Sequence, residues 1–281
     1  MRLRSLLFVP GDRPDRMDKA LGSGADALIL DLEDSVTPSK KNEARKAVAE
    51  FLARPRASPL FVRINPLNAS ADEDLAAIMP QKPDGIVLPK AEGGVSIAEL
   101  DRRLTALGDQ NTPILPIATE TPAAIFALGS YSGVTSRLCG LTWGAEDLPA
   151  AIGAAGAREA DGSYTAPYEM VRSLALFAAH AAGVAAIETI YPVLKDEAGL
   201  KAYAARGRRD GFSGMLAVHP AQISIINEAF TPSQDELVWA RLVVEAFAAN
   251  PDSGALQIEG RMLDAPHLKL ARRILAAQGQ E

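Results

Sequence analysis

The sequence predicts a closed (β/α)8 barrel, an α/β TIM-type fold, with a C-terminal extension. Eight short apolar runs recur along the chain, and most are followed by a helical pattern. Strands alternating with helices imply a parallel sheet. The length of 281 residues suits eight such units, which take roughly 250 residues, plus a tail. An open doubly wound sheet would announce itself by a Gly-rich phosphate turn after its first strand. Here that turn reads Pro10-Gly11-Asp12-Arg13-Pro14.

Arg4 to Gly11 (RSLLFVPG) is the first strand, stopped by Pro-Gly, and Arg13 to Ser23 the first helix, with Asp12 as a possible cap. Ala27 to Asp31 (ALILD) is the second strand, apolar throughout as in a strand covered on both faces. It runs into Asp31-Leu32-Glu33-Asp34, and Pro38-Ser39 opens a helix to about Ala53. Leu60 to Ile64 (LFVRI) and Gly85 to Leu88 (GIVL) are strands three and four, followed by helices over Ser70–Met79 and Ser96–Leu107. ILPIA ends at Glu120 and LCGL runs on to Asp147, giving strands five and six with a helix over Thr121–Leu128 between them. An irregular Ala/Gly-rich stretch leads to a long helix over Pro167–Ala182, stopped by Gly183. Ala185 to Tyr191 and Met215 to Val218 complete the ring, with a helix over Ala198–Arg209 between them. Helices over Ala221–Ala229 and Ser233–Ala249 follow, so the barrel is expected over 1–250. Residues 251–281 read as a loop of small and polar residues and a final basic helix.

Composition narrows the function. The formal net charge of -6, without any run of Lys or Arg, argues against nucleic acid. The apolar start is too short for a signal core, and Ser173–Ile187 falls short of a membrane span. One cysteine, Cys139 in an apolar run, cannot form an internal disulfide and suits a reducing cytoplasm. Three histidines without pairing spacing or a cysteine partner argue against zinc.

In a parallel barrel the active site lies at the C-terminal strand ends. The polar residues there are Gly11, Arg13, Asp31, Glu33, Asp34, Arg63, Asn65, Lys90, Glu120, Asp147, Glu188 and His219. This ring of acids with a few cations suits a metal-assisted site acting on an anionic substrate. Glu120 and Asp147 stand at consecutive strand ends, where two carboxylates suit Mg²⁺. The alternative is that both cap helices, where negative charge is stabilising anyway. Glu146 is expected to face away. Arg63 at the tip of strand three suits a carboxylate or oxyanion, or a salt bridge to Asp31 or Glu33, or both.

Seven segments occur in one order: RSLLFVPG, DLEDSV, VRIN, LPK, ETP, GAEDL and VHPAQ. Together they resemble the citrate lyase β-subunit-like group of the HpcH/HpaI aldolase superfamily, over nearly the whole chain. The resemblance implies a (β/α)8 barrel and Mg²⁺ dependence, with Mn²⁺ as a possible substitute. It implies cleavage or formation of a 3-hydroxyacyl-CoA such as malyl-, citramalyl- or citryl-CoA, with a CoA thioester and a 2-oxo acid as small-molecule partners. It also implies Glu120 and Asp147 as metal ligands, Arg63 and Glu120 as substrate-binding residues, and Arg63 as catalytic. Asp31 and Glu33 would orient Arg63 or the metal's waters. Residues 251–281 resemble a lid loop and helix whose Asp264 acts in a neighbouring subunit's active site, which implies a homo-oligomer, a trimer or hexamer. A malyl-CoA-type thioesterase and a subunit of a lyase complex acting on a carrier protein are the alternative activities. The chain departs from the family at Met215, where lysine is frequent, and at Glu188, where aspartate is frequent. Both bear on the CoA contacts and the acyl preference.

Overall fold

The computed structural model describes every residue except 57, 259 and 279–281. Contacts divide the chain into two units: Leu3–Asn227, and Met1–Arg2 with Glu228–Glu281.

The larger unit is the barrel. Its strands are β1 (Ser5–Pro10), β2 (Ala27–Asp31), β3 (Leu60–Arg63), β4 (Gly85–Leu88), β5 (Ile114–Pro116), β6 (Gly140–Thr142), β7 (Ala185–Glu188) and β8 (Gly214–Ala217). They pair in parallel in the order β5-β4-β3-β2-β1-β8-β7-β6. Single parallel bridges, Ile114 to Leu138 and Ile117 to Thr142, link the two ends and close the ring. Around it run α1 (Pro14–Leu21), α2 (Lys41–Leu52), α3 (Ala71–Ile78), α4 (Gly94–Ala106), α5 (Pro122–Ala127), α6 (Leu148–Ile152), α7 (Ala166–Ala182) and α8 (Glu197–Asp210). The short α6 lies in the stretch expected to be irregular. It opens on Leu148-Pro149, where a proline costs no helical hydrogen bond.

Local chemistry explains where the helices begin and end. Thr121 Oγ1 accepts from Ala124 N at 3.1 Å and caps α5. Gly183 takes the left-handed conformation (φ 73°) that ends α7, donating to the carbonyls of Ala179 and His180. Asp12 does not cap α1; Arg13 holds the cap position without a side-chain bond.

Side chains alternate in and out along each strand. The inward set, Leu6, Ala27, Ile29, Phe61, Val87, Leu115, Ile187 and Leu216 among others, forms a core inside the ring. The inward row continues upward as Phe8 on β1, Asp31 on β2 and Arg63 on β3. Asp31 and Arg63 are direct register partners on neighbouring strands. Strand parity therefore delivers this pair to the open end of the barrel.

The smaller unit holds α10 (Gln234–Ala249), β9 (Ala255–Ile258), β10 (Arg261–Asp264) and α11 (Ala265–Gln278). The chain passes into it within α9 (Ile223–Ala229). Ser233 and Glu236 form a reciprocal capping box at the start of α10. Ala240 and Val243 of α10 share a small core with Leu263 and Ala271. Ala255–Ile258 and Arg261–Asp264, read as part of a loop in the sequence, pair as antiparallel strands. Their polar and small residues leave one face exposed, which hides the strand pattern.

Candidate active site

A cavity of about 460 Å³ opens at the C-terminal strand ends, bordered by Asp31, Arg63, Glu120 and Asp147. Phe8, Ile117, Trp143, Ile190 and Leu216 form its apolar lining.

Arg63 is held rigidly. Its Nε and Nη2 donate to the two carboxylate oxygens of Asp31, both at 2.7 Å. Its guanidinium carbon lies 4.8 Å from the centre of the Phe8 ring. Asp31 also accepts from the backbone amides of Glu33 and Ser35 at 2.9 and 3.1 Å. Burial alone would raise the Asp31 carboxyl, but the Arg63 guanidinium and these amides hold it below the ordinary carboxylate value.

Glu33 continues the network. Its Oε1 accepts from Lys90 Nζ at 2.6 Å. Its Oε2 lies 2.9 Å from Arg63 Nη1 yet makes no hydrogen bond of good geometry, so that contact is one of charge. Burial raises Glu33 against the pull of both cations. Lys41, unremarked in the sequence, fastens the loop from behind. Its Nζ donates to the carbonyls of Leu32 and Glu33 and to Asn65 Oδ1 at 2.6 to 2.8 Å. Asn65 in turn donates to Asp74, whose other oxygen accepts from Arg45. Asn65 is thus a brace under the strand ends.

Glu120 is almost fully buried (4% exposed). Lys90 takes the left-handed conformation, φ 51°, uncommon for a side-chain-bearing residue, and its amide donates to Glu120 Oε2. Gly144 makes room on the other side: a Cβ there would lie 3.1 Å from Glu120 Cγ. Thr119 fixes the same loop. Its hydroxyl donates to the Gly144 carbonyl at 3.0 Å and accepts from the Gly144 amide at 2.9 Å. Burial, reinforced by the Glu33 and Asp147 carboxylates, pushes Glu120 up from 4.5 to about 8 despite the Lys90 amide.

Helix capping does not account for the two acids. Asp147 occupies the cap position of α6 but makes no cap bond, and Thr121 caps α5 in place of Glu120. The donor set also fits a hard divalent cation. With all six groups ionised, Asp31, Glu33, Glu120 and Asp147 oppose only Arg63 and Lys90, leaving two negative charges. One Mg²⁺ balances them with oxygen ligands of the type it prefers. No group of three or more His, Cys, Asp or Glu suited to a metal exists among the described residues. Two carboxylates leave the remaining positions for water and substrate.

Several expected members of the ring lie elsewhere. Glu188 is fully buried and follows the inward-facing Ile187, so it points to the outside of the sheet. There it accepts from Trp143 Nε1 (2.6 Å), Tyr203 (2.9 Å) and Arg172 Nε (2.7 Å). It braces the back of Trp143, whose front borders the cavity. Met215 is fully buried beside the inward Leu216 and does not border the cavity. Neither Met215 nor Glu188 borders the cavity itself. Glu146, expected to face away, borders the cavity at its exposed rim. His219 caps the following turn, its Nδ1 accepting from the Ala221 amide at 3.2 Å. Asp264 belongs to the smaller unit, at the end of β10, where Oδ1 lies 2.6 Å from His267 Nδ1.

Comparison with known proteins identifies the family. The sequence profile of the HpcH/HpaI aldolase/citrate lyase family matches residues 4–220. A citrate lyase subunit beta-like protein of Mycobacterium tuberculosis is 34% identical over 276 residues, covering 98% of this chain and 95% of the relative. A (3S)-malyl-CoA thioesterase of Cereibacter sphaeroides is 31% identical over 286 residues, covering 97% and 93%. The crystal structure of CitE from M. tuberculosis in complex with magnesium, acetoacetate and coenzyme A superposes with a TM-score of 0.83 at 33% identity. That match covers 99% of this chain and 98% of the other. The chain belongs to the HpcH/HpaI aldolase/citrate lyase family.

Proposed function

We propose that this protein is a Mg²⁺-dependent lyase that cleaves, or forms, the carbon–carbon bond of a 3-hydroxyacyl-CoA, yielding an acyl-CoA and a 2-oxo acid. The observation that carries the reading is the joint placement of Glu120, Asp147 and the clamped Arg63 around one cavity. The magnesium bound to the CitE relative supports the choice of ion; Mn²⁺ would serve as a substitute.

Glu120 and Asp147 would hold the cation, which supplies a Lewis acid for the substrate's carboxylate and neighbouring oxygen. Glu120 also borders the substrate. Arg63 stabilises the same oxygen as negative charge moves onto it during cleavage. Its clamp by Asp31 and Phe8 fixes the guanidinium before substrate arrives, the preorganisation such stabilisation needs. Removing one donor of this kind typically costs ~3 kcal/mol in the transition state. Glu33 holds Lys90, and so the loop that carries the amide bound to Glu120. Asp264, on a lid formed by 251–281 of a neighbouring subunit, protonates the thioester enolate, or removes the acyl-CoA proton in the reverse direction.

That lid reading requires a homo-oligomer, a trimer or hexamer. Exposed Met170, Leu174 and Phe177 form an apolar stripe along α7 that supports assembly with further copies. No helix of the described residues is long and apolar enough to cross a membrane. The single, half-buried thiol, Cys139, fits a cytoplasmic setting.

Chelator-treated protein incubated with malyl-, citramalyl- and citryl-CoA should release oxo acid only after Mg²⁺ is restored. No release from any of the three would refute the lyase reading. The thioesterase relative makes hydrolysis the second reading, distinguished by free CoA appearing without oxo acid. Asp264→Ala should abolish turnover while Mg²⁺ binding persists. Mixing it with Arg63→Ala protein should restore some activity if the aspartate is contributed across subunits.

A further inference from the structure

The smaller unit carries a pair of titratable side chains in direct contact. Asp264 ends β10, and His267 lies in the first turn of α11, three residues on. We propose that His267 acts through Asp264 as its proton relay, refilling and emptying the carboxyl that exchanges a proton with the acyl-CoA carbon. The inference rests on the reading of Asp264 as that acid and base, and names the group that has to stand beside it.

The need is chemical. A carboxylic acid in water is ionised at neutral pH and has no proton to give to an enolate. In the other direction, a carboxylate that has taken a proton must lose it before the next turnover. A neighbouring imidazole meets both needs, because it takes up and releases protons near neutral pH.

Geometry supplies the connection. Asp264 Oδ1 lies 2.6 Å from His267 Nδ1. Two lone pairs repel at that distance, so a proton lies between them. It is either the N–H of an imidazolium donated to a carboxylate or the O–H of an acid donated to a neutral ring. The two states differ by one proton shift. The Asp264 amide also points at Nδ1, at 3.3 Å, and holds the ring against the start of α11. Both side chains are half exposed, so water reaches the pair.

The neighbouring elements leave the pair to itself. β9 carries no charged side chain, and β10 carries Arg261 besides Asp264. α11 adds Lys269, Arg272 and Arg273, and α10 adds Asp235, Glu236, Arg241 and Glu245. Among the described residues none of these forms an ion pair with Asp264 or His267.

During cleavage the enolate's electron pair forms a C–H bond with the Asp264 proton, and the carboxyl O–H breaks. The pair is then one proton short, and water replaces it at the imidazole. In the reverse direction the α-carbon proton passes to Asp264, and His267 releases the surplus to water.

A helix cap accounts for the same contacts without any proton transfer, and the test separates the two. Full-length, Mg²⁺-loaded wild type, His267→Gln, His267→Ala and Asp264→Asn are compared on malyl-, citramalyl- and citryl-CoA. Glutamine keeps an acceptor for the Asp264 amide, as in a capping box, but relays no proton. A relay requires His267→Gln to lower kcat by about tenfold or more with KM little changed. It also requires that variant to lose one ionisation from the pH profile of kcat. Added imidazole should restore part of the turnover lost in His267→Ala. Wild-type kcat and pH profile in His267→Gln overturn the proposal and leave His267 a helix cap, with Asp264 still the acid. Wild-type kcat in Asp264→Asn overturns the reading of Asp264 and the relay with it. A wild type that cleaves none of the three esters refutes the lyase reading itself, and the relay falls with it.

Discussion

Titrating Mg²⁺ into the metal-free protein between about pH 6 and pH 9 should release a proton from Glu120, because the ion binds the carboxylate and not the acid. The magnitude follows from the site. Glu120 is 4% exposed, faces the Glu33 and Asp147 carboxylates, and rises from 4.5 to about 8. At ~1.4 kcal/mol per pH unit, that rise corresponds to about 5 kcal/mol against carrying an uncompensated charge. At pH 7 roughly one molecule in ten then has Glu120 ionised. The apparent Mg²⁺ affinity should therefore lie roughly tenfold below its plateau above pH 8. About 0.9 proton should leave per ion bound. Calorimetry at pH 7 in two buffers of different ionisation enthalpy counts the proton directly. Glu120→Gln should remove the proton release and weaken binding further. The metal-free fold should show the matching trend. Glu120 contributes its full stability below about pH 4.5 and loses it as the pH rises through about 8, so thermal stability should fall over that range and recover with Mg²⁺. An affinity flat across this range, with no proton released at pH 7, would refute the reasoning that the buried acid is a metal ligand.

Other perturbations have separable outcomes. Asp31→Asn removes the charge that clamps Arg63 and should lower kcat/KM by roughly 10²-fold, with Mg²⁺ affinity measured alongside changing far less. Arg172→Met leaves Glu188 buried without its cationic partner; urea unfolding should show a loss of ~3–5 kcal/mol. Gly85→Ala drives a Cβ to 2.2 Å from Phe61 Cε1 in the barrel core. The crowding should cost ~1–3 kcal/mol, visible as a lower melting temperature.

The division between fold and site explains why some roles were legible early. Asp31 and Arg63 end apolar strands, and their parity is that of Ile29 and Phe61, so a reader of the chain can place both at the barrel mouth. Glu120 and Asp147 differ: β5 ends at Pro116 and β6 at Thr142, so both acids lie on the loops beyond, and the fold of those loops, not strand parity, brings them to the cavity. Glu188 shows the limit. It too ends a strand, but it stands one residue off the inward row, and only the ring's packing assigns the row. Its partners Arg172 and Tyr203 lie 16 and 15 residues away on α7 and α8, where no local spacing announces them. Lys41 is similar: eight residues past Glu33 on the next helix, it becomes a brace only when α2 folds back.

The amino-acid order by itself determined the eight βα units, the strand-end acids and the arginine among them, because hydrophobic period and turn chemistry are local properties. Tertiary structure decided the rest. Ring closure between β5 and β6 brought Glu120 and Asp147 to one cavity and buried Glu120 deeply enough to raise its carboxyl. The left-handed turn at Lys90 aimed an amide at it. The core's top layer set the apolar floor of the cavity. The tail's strand pairing and shared core with α10 likewise arise from contacts between distant segments. Burial and long-range pairing depend on where the chain returns, and a sequence period carries no record of that.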